Sequence, residues 1–143
     1  MYYHEEKRDL LSAPQGWWIA HCISGDFALG AGVAKQIDEA FNMKEMLLKQ
    51  WDEGDVENMG YWCAPCGNVL NLITKPKYWN KPTLESLREA LDDMKKLINE
   101  DGIKKIAMPK IGCGLDRLNW EDVSPMIQDI FKDTDVEIMV CYL

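Results

Sequence analysis

Three groups of residues in this 143-residue chain are of types that do chemistry. The first is Trp62-Cys63-Ala64-Pro65-Cys66, with two thiols at the spacing of a dithiol–disulfide couple. The second is a pair of glycine-rich stretches, "LGAGVAKQI" (Leu29 to Ile37) and "MPKIGCGLDRLNW" (Met108 to Trp120). The third is an amine and a carboxyl: Lys75, which closes the apolar run "VLNLIT", and Asp116, inside the second glycine stretch. Thiol exchange, anion binding and nucleophilic or acid–base chemistry are the respective possibilities.

The thiols are the most conspicuous and the least well placed. A redox cysteine works at a helix N-terminus, where unpaired amides and the helix dipole lower its pKa. Cys66 instead leads into "GNVLNLIT", a Gly-Asn turn and β-branched residues, so the two cysteines are expected to flank a hairpin turn. A zinc site needs a second ligand pair, and Cys22, Cys113, Cys141, His4 and His21 show no matching close spacing. Five cysteines, an odd number without the spacing of a disulfide scaffold, read as reduced thiols. No metal or redox cofactor is implied.

The glycine stretches are more informative together than apart. Gly30 and Gly32 let a backbone approach a ligand closely, and amides at the following helix start attract anions, so a pyrophosphate can rest there. Neither Rossmann nor Walker A spacing is present. In the second stretch a strand ends in a loop with Gly112, Cys113 and Gly114, then Asp116, and the two loops offer a diphosphate two opposing walls. By residue type alone Lys75 also reads as a solvated loop lysine, and Asp116 as a turn or cap residue or a partner of Arg117.

The elements that must hold these loops alternate in period. "MYYHEEK" predicts an edge strand and "WWIAHCIS" a strand covered on both faces. "LGAGVAKQIDEAF" reads as a loop feeding an amphipathic helix with Val33, Ile37 and Phe41 on one face, and "KEMLLKQW" as a short second helix. "MGYWCA" and "VLNLIT" predict two strands joined by a "PCGN" turn. "PTLESLREALDDMKKLINEDG" is the strongest helix, with Pro82 in its first turn, Leu84, Leu87, Leu91, Met94 and Ile98 on one face, and Gly102 as its stop. "IKKIAMP" is a strand, "EDVSPMIQDIFK" a helix that Pro125 forces to open tightly, and "DVEIMVCYL" a last strand. This predicts one α/β domain over residues 1–143 with a mixed sheet, its ligands collecting beyond strand C-terminal ends in "ISGDFALGAG", "TKPKYWNKP" and "PKIGCGLDR".

Composition narrows the partners. Forty-seven per cent hydrophobic residues suffice for one core. A formal net charge of −8 opposes nonspecific attraction to nucleic acid. Local groups of cations, Lys75, Lys77 and Lys81, and Lys104, Lys105 and Lys110, suit a small phosphorylated ligand. No apolar run reaches the roughly 18 residues of a membrane span, and "MYYHEEKRDLLS" is not a signal peptide, so a cytoplasmic location is expected.

"HCISGDFALGAGVAKQI", "LITK" with the later "KPTLESL", and "MPKIGCGLDRL" resemble the macrodomain family, in the branch of the terminal ADP-ribose protein glycohydrolase. The similarity covers about Lys7 to Leu143. It implies a three-layer α/β/α macrodomain that binds ADP-ribose in a cleft above a mixed central sheet. By the same resemblance Asp9 and Leu10 lie near the adenine, and Ser24, Gly30, Ala31, Gly32 and Val33 contact ribose and diphosphate. Lys110, Ile111, Gly112, Cys113, Gly114 and Leu115 wrap the other side, and Leu143 closes the adenine end. Larger macrodomain groups carry Asn-Ala-Ala-Asn where this chain has "HCIS", and more glycines where it has "LGAG". The branch that shares "HCIS" uses a lysine and an aspartate, matching Lys75 and Asp116.

The resemblance therefore implies a hydrolase that removes mono-ADP-ribose from glutamate side chains of modified proteins. It also implies deacylation of O-acyl-ADP-ribose, which carries an ester at the same ribose. Lys75 would attack the anomeric carbon, and Asp116 would move protons. A lysine in water has a pKa of about 10.4, so partial burial and neighbouring cations such as Lys77 are expected to lower it, whereas an aspartate too close would oppose this. The alternatives are a module that binds ADP-ribose without turnover, and an enzyme that removes ADP-ribose from nucleic acid bases, for which "TKPKYWNKP" supplies aromatic and basic groups. His21 reads as a hydrogen-bonded core residue, Cys113 as a small filler, and Trp79 as a stacking ring or core cover.

Overall fold

The computed structural model describes residues 1–51 and 60–143. In chain order these form β1 (Tyr2–Lys7), a 3-10 turn (Leu10–Ser12), β2 (Trp18–Ser24), α1 (Gly32–Phe41), α2 (Met43–Gln50), β3 (Trp62–Cys66), β4 (Val69–Lys75), α3 (Leu84–Asp101), β5 (Lys105–Met108), α4 (Trp120–Phe131) and β6 (Glu137–Tyr142). The sheet order is β1-β6-β5-β2-β4-β3, with every pair parallel except β3 against β4. The mixed sheet and the edge position of "MYYHEEK" are as the periodicity predicts. Met59, the first residue of "MGYWCA", lies outside the described residues.

Alternation along the strands divides the core in two. On one face Leu70, Leu72, Ile106, Ile138 and Val140 pack against α3 and α4. On the other, Ile19, Ile23, Val69, Ile73 and Met139 pack against Ile37 of α1 and Met43 and Leu47 of α2. β4, one strand in from the edge, is buried on both sides, so truncating Leu72, with no exposed surface, costs about 2–5 kcal/mol.

His21 and Asn71 face each other across β2 and β4. His21 Nε2 lies 2.6 Å from Asn71 Oδ1, and Asn71 Nδ2 donates to Ala64 O at 3.1 Å. Burial holds the imidazole neutral, its pKa lowered to about 4, which makes it the core histidine the apolar run suggests.

Three local expectations are corrected. Pro82 lies just before α3: Thr83 is the N-cap, in a reciprocal capping box with Ser86, because its hydroxyl satisfies an amide that Pro82 could not. Leu84 is exposed, while Ser86, Leu87, Ala90, Leu91, Met94 and Ile98 form the buried stripe. The β3–β4 turn is shorter than "PCGN": Pro65 and Cys66 belong to β3, paired with Leu70 and Val69. β3 is an edge strand, where a missing N–H is tolerated. In α4, Pro125 is accommodated after a tight start, with both Asp122 and Val123 donating to Asn119 O at 3.0 Å.

Candidate active site

The C-terminal ends of β2, β4, β5 and β6 open on one edge of the sheet, and above them lies a cleft of about 1040 Å³. One wall is the β2–α1 loop with the start of α1, Ala28 to Ala34. The other is the β5–α4 loop, Pro109 to Asp116. Cys22, Ile23 and Ser24 lie between them, Cys141 and Tyr142 of β6 mark one end, and Lys75, Tyr78 and Lys81 the other. The ends are three strand spacings apart in sheet order, about 14 Å. An elongated, mostly apolar slot with few polar groups suits a ligand with planar and charged parts in series.

Strained backbone shapes the walls. Phe27 and Leu29 hold φ of 54° and 44°, left-handed values that cost on the order of 1–3 kcal/mol each for residues with a side chain. Both side chains are buried, which offsets that cost. Asp26 fixes the loop: it accepts from the Ser24 hydroxyl and, at 3.2 Å, from Ala28 N–H, while its other oxygen accepts from Tyr78 N–H at 3.0 Å. Gly32 (φ 59°) faces Leu115 of the opposite wall, whose Cδ1 is 3.2 Å from where a Cβ would stand. Gly112 (φ 75°) has Leu118 Cδ1 3.0 Å from the same position. The walls therefore meet at Leu115. Ala31, the N-cap of α1, offers no side-chain hydrogen bond, so the first amides of α1 have no cap competing for them.

Lys75 is set by a register shift. Ile23 pairs with Ile73, but Ser24 pairs with Lys75, so Thr74 is the extra residue of a bulge. Such a shift exchanges the side chain presented at the strand end. Lys75 Nζ lies 2.7 Å from Asp116 Oδ1, and the two side chains are 13% and 15% exposed. The sequence leaves their separation open; here they are in direct contact. Cys22 lies nearby, and burial first, then the Asp116 charge, push its thiol far up, so it stays protonated.

The cleft gathers Ser24, Gly30, Ala31, Gly32, Val33, Lys110, Ile111, Gly112, Cys113, Gly114 and Leu115 with Lys75 and Asp116. Asp9, Leu10 and Leu143 do not line it. Asp9 caps the 3-10 turn by accepting from Leu11 N–H at 3.0 Å, Leu10 is buried beside α1 and α2, and Leu143 is 90% exposed. Tyr142 lines the cleft in place of Leu143, with Lys110 Nζ 5.3 Å from its ring centroid.

The expected cation group is split along β5. Lys110 is at the cleft, whereas Lys104 pairs with Asp135 at 2.8 Å and Lys105 lies over Trp17, both at the strand's other end. Lys81, expected among the cations that meet a phosphorylated ligand, lines the cleft, whereas sequence reasoning did not single out Asp26 and Tyr78 within their loops and missed Tyr142. The "SGD" sequence just past a strand was the available sign for Asp26, because an aspartate there commonly caps its own turn.

Burial pushes the Cys63 and Cys66 thiols up. Cys63 lies mid-strand against the α3 side and Cys66 on the α1–α2 side, so they occupy opposite faces instead of flanking a turn. Among the described residues no group of three His, Cys, Asp or Glu is arranged to hold a metal. No helix among them is long and apolar enough to cross a membrane.

Comparison with known proteins agrees with this architecture. A family model described as Macro domain matches residues 20–127. Human ADP-ribose glycohydrolase OARD1 is 40% identical over 135 residues, covering 94% of this chain and 87% of that protein. A DNA ADP-ribosyl glycohydrolase of Thermus aquaticus is 30% identical over 142 residues, covering 92% of this chain and 39% of the other. The solved macrodomain of Thermus aquaticus DarG superposes with a TM-score of 0.82 at 22% identity, over 99% of this chain and 97% of that one.

Proposed function

Because the chain belongs to the Macro domain family, we propose that it is an ADP-ribosyl glycohydrolase that releases mono-ADP-ribose from glutamate side chains of modified proteins. The observation that carries this is the Lys75–Asp116 pair, 2.7 Å apart and largely buried at one end of the cleft. An amine and a carboxyl in contact can exchange a proton without waiting for solvent.

In this reading the diphosphate lies between the two glycine-bearing walls, where α1 supplies uncapped amides, and the distal ribose reaches Lys75. Asp116 takes a proton from the Lys75 ammonium. The freed amine attacks C1 of the ribose, the bond from C1 to the glutamate oxygen breaks, and the carboxylate departs with its electron pair. Ring opening converts the adduct to an imine. Water then adds to C1, the amine leaves with a proton returned by Asp116, and the aldehyde closes to free ADP-ribose. The sum is ester plus water giving acid plus ADP-ribose. O-acyl-ADP-ribose fits the same scheme when its ester oxygen is carried on C1 of that ribose.

Incubation with a peptide bearing ADP-ribosylated glutamate is the test. Release by wild type and none by Lys75→Ala, with ADP-ribose binding retained, supports the enzyme. Equal inactivity of both, with ADP-ribose bound, would make the protein a reader. A second reading, removal of ADP-ribose from a nucleic acid base, is favoured by the 30% identity to a DNA ADP-ribosyl glycohydrolase. Turnover of an ADP-ribosylated oligonucleotide in preference to the peptide would select it. The absence of a long apolar helix among the described residues is compatible with action in the cytoplasm, where we place it.

A further inference from the structure

The loop from Pro76 to Pro82 borders the Lys75 end of the cleft and spends its polar groups on its own shape. Tyr78 N–H donates to Asp26 at 3.0 Å, Lys77 N–H to Asn80 Oδ1 at 2.9 Å, and Asn80 N–H to Lys77 O at 3.0 Å. Lys81 Nζ reaches over to Leu115 O at 2.7 Å. This well-anchored loop nevertheless turns two large rings outward. Tyr78 is 63% and Trp79 65% exposed, set edge to face with centroids 5.0 Å apart, and Leu115 across the gap is 62% exposed.

Trp79 is thus no cover for the core. Exposed rings on a fixed backbone lose little freedom when they are covered, which is how Tyr and Trp dominate binding energy at protein interfaces. The ledge is continuous with the reaction site, because Tyr78, Lys81 and Leu115 also line the cleft. Whatever is bonded to the distal ribose beyond Lys75 must leave past this rim.

We propose that Tyr78, Trp79 and Leu115 form a docking ledge for the polypeptide that carries the ADP-ribosylated glutamate, taking an apolar side chain a few residues from the modified one. The proposal rests on the reading of the site as a glutamate-directed glycohydrolase. Charge favours a peptide over a polynucleotide here. Lys81, whose ammonium lies 2.7 Å from Leu115 O, puts a cation at the rim that suits an acidic residue of a peptide, but the chain's formal net charge of −8 opposes a run of phosphates.

The test separates binding from turnover by using Lys75→Ala protein for affinities. Its probes are two peptides bearing ADP-ribosylated glutamate, one flanked by Leu and Phe and one by Gly and Ser, plus free ADP-ribose and an ADP-ribosylated single-stranded oligonucleotide. The Leu/Phe peptide should bind about 5- to 30-fold tighter than the Gly/Ser peptide. Adding Trp79→Ala should erase that gap, Trp79→Phe should restore most of it, and the affinity for free ADP-ribose should not move. Equal affinities for the two peptides overturn the proposal. So does a Trp79→Ala loss confined to the oligonucleotide, which would make the ledge a base-stacking platform. Failure of wild type to release ADP-ribose from either peptide counts against the glutamate chemistry alone, since the ledge is read by affinity.

Discussion

Two lysine–aspartate pairs of almost equal length lie at opposite ends of the sheet. Lys75 and Asp116 are 2.7 Å apart at the C-terminal ends of the strands, and Lys104 and Asp135 are 2.8 Å apart just before β5 and β6 begin. Exposure separates them: 13% and 15% at the first, 59% and 79% at the second. Water solvates the second pair whether or not it forms, so it adds little to stability. The first pair is largely shielded from solvent at one end of the cleft, where the attraction between its members is less screened than at the surface. Equal distances therefore carry different chemistry, and the surroundings decide which.

The largest expected effect breaks that comparison directly. Lys75→Ala should reduce turnover of ADP-ribosylated glutamate by at least about 10,000-fold, as loss of a nucleophile does, with ADP-ribose affinity by calorimetry kept within a few fold. Lys104→Ala should leave both unchanged. If the two substitutions affect turnover alike, the burial of the first pair has no catalytic meaning. Asp116→Asn removes only the proton carrier, and should cost about 100- to 10,000-fold in kcat while retaining the Lys75 amine.

His21, midway between the two ends, sharpens the comparison through pH. Its pKa is about 4 in the fold, against 6.5 for the free side chain. Between those values the unfolded chain binds more protons, so stability falls as pH drops from about 6.5 to about 4 and is flat above. The loss is on the order of 3 kcal/mol. Denaturant melts of wild type and His21→Gln across that range should differ in slope, and identical slopes would refute the buried neutral imidazole.

Glycine substitutions within the cleft end test which backbone positions of its wall are intolerant. Gly112→Ala meets both a φ of 75° and Leu118 at 3.0 Å, whereas a Cβ on Gly114 meets nothing within 4 Å. ADP-ribose affinity should fall about tenfold or more in the first, a loss of roughly 1.4 kcal/mol, and change little in the second.

Much of this was legible because the elements are locally consistent. The stripe of Leu87, Leu91, Met94 and Ile98 fixes α3, and the alternation of Leu70 and Leu72 with Val69 and Ile73 fixes a strand covered on both faces. The glycine stretches predicted where the cleft would open. The individual roles of Asp26 and Tyr78 were not legible, since they depend on β2 and β4 being neighbours, which places residue 26 against residue 78. Nor was the contact between Lys75 and Asp116: a one-residue bulge beside Ser24 sets it, and no local pattern announces a bulge there.

The smallest effect is expected at the most conspicuous residues. Cys63 and Cys66 belong to one short strand, three positions apart, and three is odd, so the side chains leave by opposite faces. Neither sits at a helix start, and burial raises the pKa of both thiols, which removes the thiolate that exchange chemistry needs. Replacing both by alanine should change turnover less than about twofold, with a stability loss of about 1 kcal/mol from lost packing. Wild type assayed in reducing and in mildly oxidising buffer should give the same rate. A difference abolished by the double substitution would mean that the hairpin end of the sheet, and not only the cleft end, controls the reaction.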